Sequence, residues 1–211
     1  MIAGPVELRT GDTFRPLGAE SVTGSRGPVA VAVVAAGCVA LLARPWLVRL
    51  PGDPVALLVA LFVVLGLVGA MWPLPAPAGE GPVQARRGPV PAWLVLGVGL
   101  GAFGAGRLLA VGSVPVAPFI LTSVALNSLA AVSEEAFFRR FAYGLAAVRG
   151  PALAVVASAA LFAAVHVTVW GWAVLPVDFA AGLVLGWQRW ASGGWAVPAA
   201  THVAANVLAV W

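Results

Sequence analysis

The sequence predicts an all-α fold, a polytopic transmembrane helix bundle of about seven spans, each needing roughly 20 mostly apolar residues. Three observations carry that prediction. The 211 residues are 61% hydrophobic and only 9% charged, too few charges to solvate a globular surface of this size. Charged residues vanish between Arg26 and Arg44, Asp53 and Glu80, Arg87 and Arg107, Arg107 and Glu134, and Arg149 and Asp178, gaps that suit lipid-crossing helices. Trp46, Trp72, Trp93, Trp170, Trp172, Trp190, Trp195 and Trp211 fall near the ends of the apolar runs, as an aromatic belt at the headgroups requires.

Residues 1–27 mix Glu7, Asp12 and Glu20 with Arg9, Arg15 and Arg26 and hold no apolar core, so a soluble tail is expected rather than a signal peptide. The apolar runs follow as Pro28–Ala43, Pro54–Leu74, Pro91–Gly106, Pro115–Val148, Pro151–Val169, Ala173–Trp190 and Trp195–Val210. Proline opens several of them, which suits a first helical turn, where its missing N–H costs nothing. As one unbroken helix the fourth run would extend about 50 Å against a bilayer core of about 30 Å, so a break or strong tilt is expected around Glu134 and Glu135. Gly97, Gly99, Gly101 and Gly104 offer the third run a face for close helix packing. The Gly/Pro-rich stretch Pro75–Val90, with Arg86 and Arg87, reads as a linker after a two-span N-terminal part. The expected organisation is a tail at 1–27, N-terminal spans at 28–110 and a C-terminal unit at 111–211, with no internal repeat.

All basic residues are Arg, placed singly or in pairs, so the net charge of +4 reads as loop charge orienting the helices rather than as a nucleic-acid surface. A cytoplasmic N-terminus puts Arg9, Arg15, Arg26, Arg86, Arg87, Arg149 and Arg189 on one side and Arg44, Arg49 and Arg107 on the other, which the positive-inside rule favours. The absence of Lys reads as a GC-rich coding bias. The lone Cys38 excludes a disulfide framework and a Cys-based metal site.

Ionisable side chains inside a span are costly and usually functional. Here they are Glu134, Glu135, Arg139, Arg140, His166, Asp178 and His202, joined by the polar Asn206. Both histidines of the chain belong to this set. Glu135 and Arg139 are spaced i,i+4 with the acid on the N-terminal side, the better order for an ion pair. Phe162 and His166, and His202 and Asn206, share that spacing, so each pair occupies one helix face. Helical rise returns Glu134 and His166 to nearly the same depth, roughly 20 Å from the turn that joins their helices. A carboxylate and an imidazole in a desolvated pocket can share a water and take its proton as it attacks a carbonyl. Arg139 would hold Glu135 ionised while Glu134 exchanges a proton, and a second His with an Asn amide supplies donors to an oxyanion. Asp178 lies near the start of its span, where a carboxylate suits the helix N-terminus, and is read as structural.

The run Glu134-Glu135-Ala136-Phe137-Phe138-Arg139 resembles the EExxxR motif of the CPBP family of intramembrane proteases, which includes the CAAX prenyl endopeptidases and relatives linked to bacteriocin immunity. Phe162 to His166 resembles its FxxxH motif and His202 to Asn206 its HxxxN motif, in the family's order. The segment Phe179 to Trp187 is similar to the small-residue helix that precedes the last motif. The resemblance covers roughly Pro115 to Val210. It implies Glu134 and His166 as the water-activating pair, His202 and Asn206 as the oxyanion pair, and Glu135 with Arg139 as their support. Arg140 departs from the pattern, since many members carry Gly there, and the local turn is expected to differ.

The resemblance implies an intramembrane endopeptidase acting on a membrane-associated peptide or protein, at home in the lipid bilayer of a bacterial cell membrane. No cofactor is expected. Zinc held by Glu134, His166 and His202 is the alternative, because these are the ligand types of a catalytic zinc site, although an HExxH helix is absent. The competing function is a non-catalytic scaffold or bacteriocin-immunity factor that uses the same pocket for binding. A proton-coupled transporter would also bury Glu, His and Arg, but no inverted repeat is present.

Overall fold

A computed structural model of the chain describes residues 21–74, 89–109 and 121–209. Among them every regular element is helical: α1 (Ser21–Leu42), α2 (Arg44–Leu47), α3 (Pro54–Met71), α4 (Ala92–Leu109), α5 (Leu121–Glu135), α6 (Tyr143–Ala146), α7 (Pro151–Trp170), α8 (Leu175–Ser192) and α9 (Ala196–Ala209). Each expected apolar run is therefore helical where it is described, apart from one to three residues at the ends of four of them, Ala43, Trp72–Leu74, Pro91 and Trp195. Helices α3, α4 and α7 are long and apolar enough to cross a membrane, while Gly27–Leu42 and Ala196–Leu208 are shorter apolar helices. Among the described residues, length and hydropathy thus single out three crossings, fewer than the seven expected. Most of the expected tail, most of the linker with Arg86 and Arg87, the start of the fourth run at Pro115, and Trp211 lie outside the described residues.

The first helix is described from Ser21, upstream of the proline expected to open it, and Pro28 lies inside α1. Proline does open α3 and α7. Asp53 caps α3, its carboxylate accepting from the Val55 N–H at 2.8 Å and so satisfying one of the unpaired donors of the first turn.

The burial pattern is inverted relative to a water-soluble protein. Val64, Leu67, Met71, Trp93 and Val98 face outward, while Glu134, Glu135, Arg139, Gln188 and Thr201 are buried. Hydrocarbon solvates the former group and not the latter, so the polar side chains turn to one another inside the bundle. Trp46, Trp93, Trp170, Trp172 and Trp190 are exposed as a belt requires. Trp72 departs from that expectation and stacks on Phe141 with ring centroids 5.2 Å apart.

Helices α7 and α8 pack along each other, α5 lies between α3 and α9, α4 rests on α8 and α9, and α1 lies against α7. At Gly182 of α8 an added Cβ would sit 2.8 Å from Ala159 Cα of α7, so the backbones meet at a distance only glycine allows. Of the four glycines offered by α4, only Gly99 meets a neighbour, namely Gln188 and Thr201, while Gly97, Gly101 and Gly104 border open space.

The break expected around the glutamates is a change of winding. Helix α5 ends at Glu135, and Ala136–Ala142 continues it as a π-helix, a rare form that frequently marks functional sites. Its Phe137, Phe138 and Phe141 are fully buried and meet edge to face, at 5.2 Å for Phe137–Phe138 and 5.9 Å for Phe137–Phe141. Helix α3 presses against this stretch at Gly69, where a Cβ would lie 2.5 Å from backbone atoms of Ala136 and Phe137. Arg140 Nη1 then donates to the carbonyls of Gly69 at 2.7 Å and Trp72 at 3.1 Å. The residue that departs from the family pattern thus caps α3 with a cation, which favours a helix C-terminus.

Candidate active site

The winding change places Glu134 and Glu135 at the junction of α5 and the π-helix, with exposures of 2% and 0%. Glu135 points into the bundle, where its Oε1 lies 3.1 Å from Arg139 Nη1, and both side chains are fully buried. Arg139 is held further by the Gly182 carbonyl at 3.3 Å and by the Phe162 ring, whose centroid is 4.4 Å from the guanidinium carbon. The same Glu135 oxygen lies 2.9 Å from His202 Nδ1. Glu135 is thus paired with a guanidinium and hydrogen-bonded to an imidazole through Oε1, while its Oε2 and Arg139 Nε and Nη1 are buried without a hydrogen-bond partner.

Glu134 faces a cavity of about 590 Å³, also lined by His166, His202, Asn206 and Arg44. Its Oε2 is 3.8 Å from His166 Nε2. His166 Nδ1 lies 2.7 Å from the Phe162 carbonyl, which can only accept, so the ring proton sits on Nδ1 and the Nε2 lone pair is left for the cavity. Phe162 stands between the two histidines, with ring centroids 4.6 Å from His166 and 5.5 Å from His202, so one aromatic ring from α7 seats both. Asn206 donates one amide hydrogen to the Asn127 carbonyl at 3.1 Å and has a second hydrogen to give.

Three helices, α5, α7 and α9, therefore bring Glu134, His166, His202 and Asn206 to one cavity, while Glu135 and Arg139 stand behind it. Two neighbours differ from the sequence reading. Asp178 lies in the first turn of α8 as expected, yet its Oδ2 is also 3.6 Å from His166 Nδ1. Arg44, read above as a loop charge, enters the cavity and donates to Glu134 Oε1 at 3.2 Å. Its sequence signal is weak, a single Arg between an apolar run and Pro45.

Among the described residues no three His, Cys, Asp or Glu side chains gather as a metal site. Against the alternative set of Glu134, His166 and His202 as a zinc site stands one contact, the Arg44 guanidinium on Glu134 Oε1. The Nδ1 contacts of His166 with the Phe162 carbonyl and of His202 with Glu135 are ones a zinc-ligating histidine also makes, with Nε2 left for the metal. A cation beside the ligand carboxylate opposes a dication.

Residues 116–208 match the family model described as type II CAAX prenyl endopeptidase Rce1-like. No curated protein and no solved structure matches the chain. The match supports the assignment of this C-terminal segment to the CPBP/CAAX-protease family, and together with the apolar helices it supports an integral membrane protein.

Proposed function

Starting from that assignment, we propose that the chain is an intramembrane endopeptidase that hydrolyses a peptide bond of a membrane-associated substrate, using a water activated by Glu134 and His166 and no covalent intermediate. The bundle that carries the site is formed by the seven apolar runs. The observation that supports this reading best is the 3.8 Å gap between Glu134 Oε2 and His166 Nε2, both of them acceptors. That gap is too wide for a direct hydrogen bond, but one water can donate a hydrogen to each atom at about 2.8 Å. So held, the water turns its lone pairs toward the cavity and an incoming carbonyl carbon.

As the water oxygen bonds to that carbon, its proton passes to Glu134. The carbonyl oxygen becomes an oxyanion, for which Asn206 offers its second amide hydrogen. His202 donates from Nε2 when both ring nitrogens carry protons, with Glu135 accepting from Nδ1. Collapse of the tetrahedral adduct breaks the C–N bond, and Glu134 returns its proton to the leaving amine. The low-dielectric surroundings strengthen each of these contacts relative to water.

The test is Glu134→Gln, which preserves shape and cannot take the proton. Purified protein in proteoliposomes is screened with a library of internally quenched amphipathic peptides, and the peptide that the wild type cleaves is used for all variants. Cleavage by Glu134→Gln is expected to fall by at least about 10²- to 10⁴-fold with folding retained. Wild-type cleavage by this variant would overturn the mechanism and favour a binding role for the pocket.

A further inference from the structure

Among the described residues, Arg44 is the one cavity residue with a direct ion pair to Glu134 that comes from the region ahead of the family-matched segment. Its side chain is 13% exposed, and each nitrogen has a partner. Nε donates to the Leu41 carbonyl at 3.1 Å at the end of α1, Nη1 to Glu134 Oε1 at 3.2 Å, and Nη2 to the Val165 carbonyl of α7 at 3.4 Å. The guanidinium carbon also lies 5.9 Å from the Phe62 ring centroid of α3. A planar fork fixed at this many points ties α1, α3, α5 and α7 together around a single carboxylate oxygen. An ammonium, being a point charge on a flexible stem, cannot reproduce the arrangement.

We infer that Arg44 is a positioning residue for Glu134, so that the α1–α3 region completes the active site rather than only anchoring it. The inference rests on the proposed role of Glu134 as the proton acceptor. A lone glutamate in a cavity rotates about its terminal torsion and presents either oxygen. With Oε1 held by Arg44, Oε2 alone faces His166 Nε2, and the bridging water has one place to sit. The same pairing keeps the carboxylate compensated while the cavity is empty of substrate.

The test uses the full chain in proteoliposomes with the peptide that the wild type cleaves. Arg44→Ala is expected to lower kcat by about 10²-fold with little change in KM, the scale of loss when a reacting group is misplaced by about an ångström. Methylguanidinium added to Arg44→Ala is expected to restore at least about tenfold of that loss, because the cavity admits a small cation and the fork geometry is what is missing. Methylammonium and Arg44→Lys are expected to restore little. Wild-type kcat in Arg44→Ala, a gain in activity, or equal rescue by both cations would overturn the inference.

A second readout does not depend on catalysis. Arg44→Ala should lower the unfolding midpoint in detergent more in the wild-type background than in the Glu134→Gln background, where only its contacts with Leu41, Val165 and Phe62 remain to be lost. Equal shifts in both backgrounds would show that the two side chains do not act as a pair. Coupling in this cycle with a fully active Glu134→Gln would instead sink the mechanism of the preceding section, and with it the catalytic meaning of the pair. Loss of cleavage in Glu134→Gln beside normal turnover by Arg44→Ala would sink the positioning role alone.

Discussion

Replacing Arg139 with Met removes the guanidinium that compensates Glu135 while filling most of the same space. Both side chains are fully buried, so the remaining carboxylate would keep only His202 Nδ1 at 2.9 Å and lose the cation at 3.1 Å. Breaking a buried pair by removing one partner costs about 3–5 kcal/mol, since the survivor is left uncompensated. Loss of the contact with the Phe162 ring at 4.4 Å, worth about 2 kcal/mol when desolvated, places Arg139→Met toward the upper end of that range. Removing both charges changes the arithmetic. In Glu135→Gln/Arg139→Met no ion is stranded, and neutral replacement of a whole buried pair is often nearly free, so the double variant should recover to within about 2 kcal/mol of wild type. The measurement is reversible unfolding in mixed micelles, with wild type, Arg139→Met, Glu135→Gln and the double variant compared under identical detergent. A loss below about 1 kcal/mol for Arg139→Met, or strict additivity in the double variant, would refute the claim that this pair is buried and mutually compensated.

Two further outcomes follow from the packing and from the donor set. Gly69→Ala forces a methyl group against the backbone of Ala136 and Phe137 and should lower the unfolding midpoint clearly, whereas Gly97→Ala, which borders open space, should be neutral or stabilise by up to about 1 kcal/mol through helix propensity. Comparing the two in one thermal-shift series checks the α3 contact, and equal effects would count against it. Cleavage by the wild type should survive prolonged dialysis against a stringent chelator, because the proposed steps use only side chains of this chain. Inactivation reversed by zinc alone would assign Glu134 to a metal centre.

Much of the architecture was legible because the chain's solvent is hydrocarbon. A helix in lipid must satisfy its own backbone hydrogen bonds and tolerates few charges. The apolar runs therefore announced their helices, with ends shifted by a few residues, as at Met71. The same cost made Glu134, Glu135, Arg139, His166 and His202 conspicuous, and their i,i+4 spacing already paired Glu135 with Arg139. Matching depths along two helices joined by a short turn brought Glu134 and His166 together by arithmetic alone.

What the sequence by itself determined, then, was which side chains lipid would not tolerate alone, and on which helix faces they lay. Tertiary structure decided the partners. An Arg between two apolar runs has the same local sequence whether it meets headgroups or turns inward. Only the seating of α2 against α7 and α3 carried Arg44 to Glu134. Asp178 marks a helix start in sequence, and only the packing of α8 on α7 set its carboxylate beside His166. Trp72 looked like a belt residue until the π-helix presented Phe141 to it, and Arg140 stood out only as a departure from the motif until α3 ended within its reach. The physical reason is common to all four cases. The cost of burying a polar or amphipathic side chain is fixed by residue type and local run, while the group that compensates it comes from a helix distant in the chain.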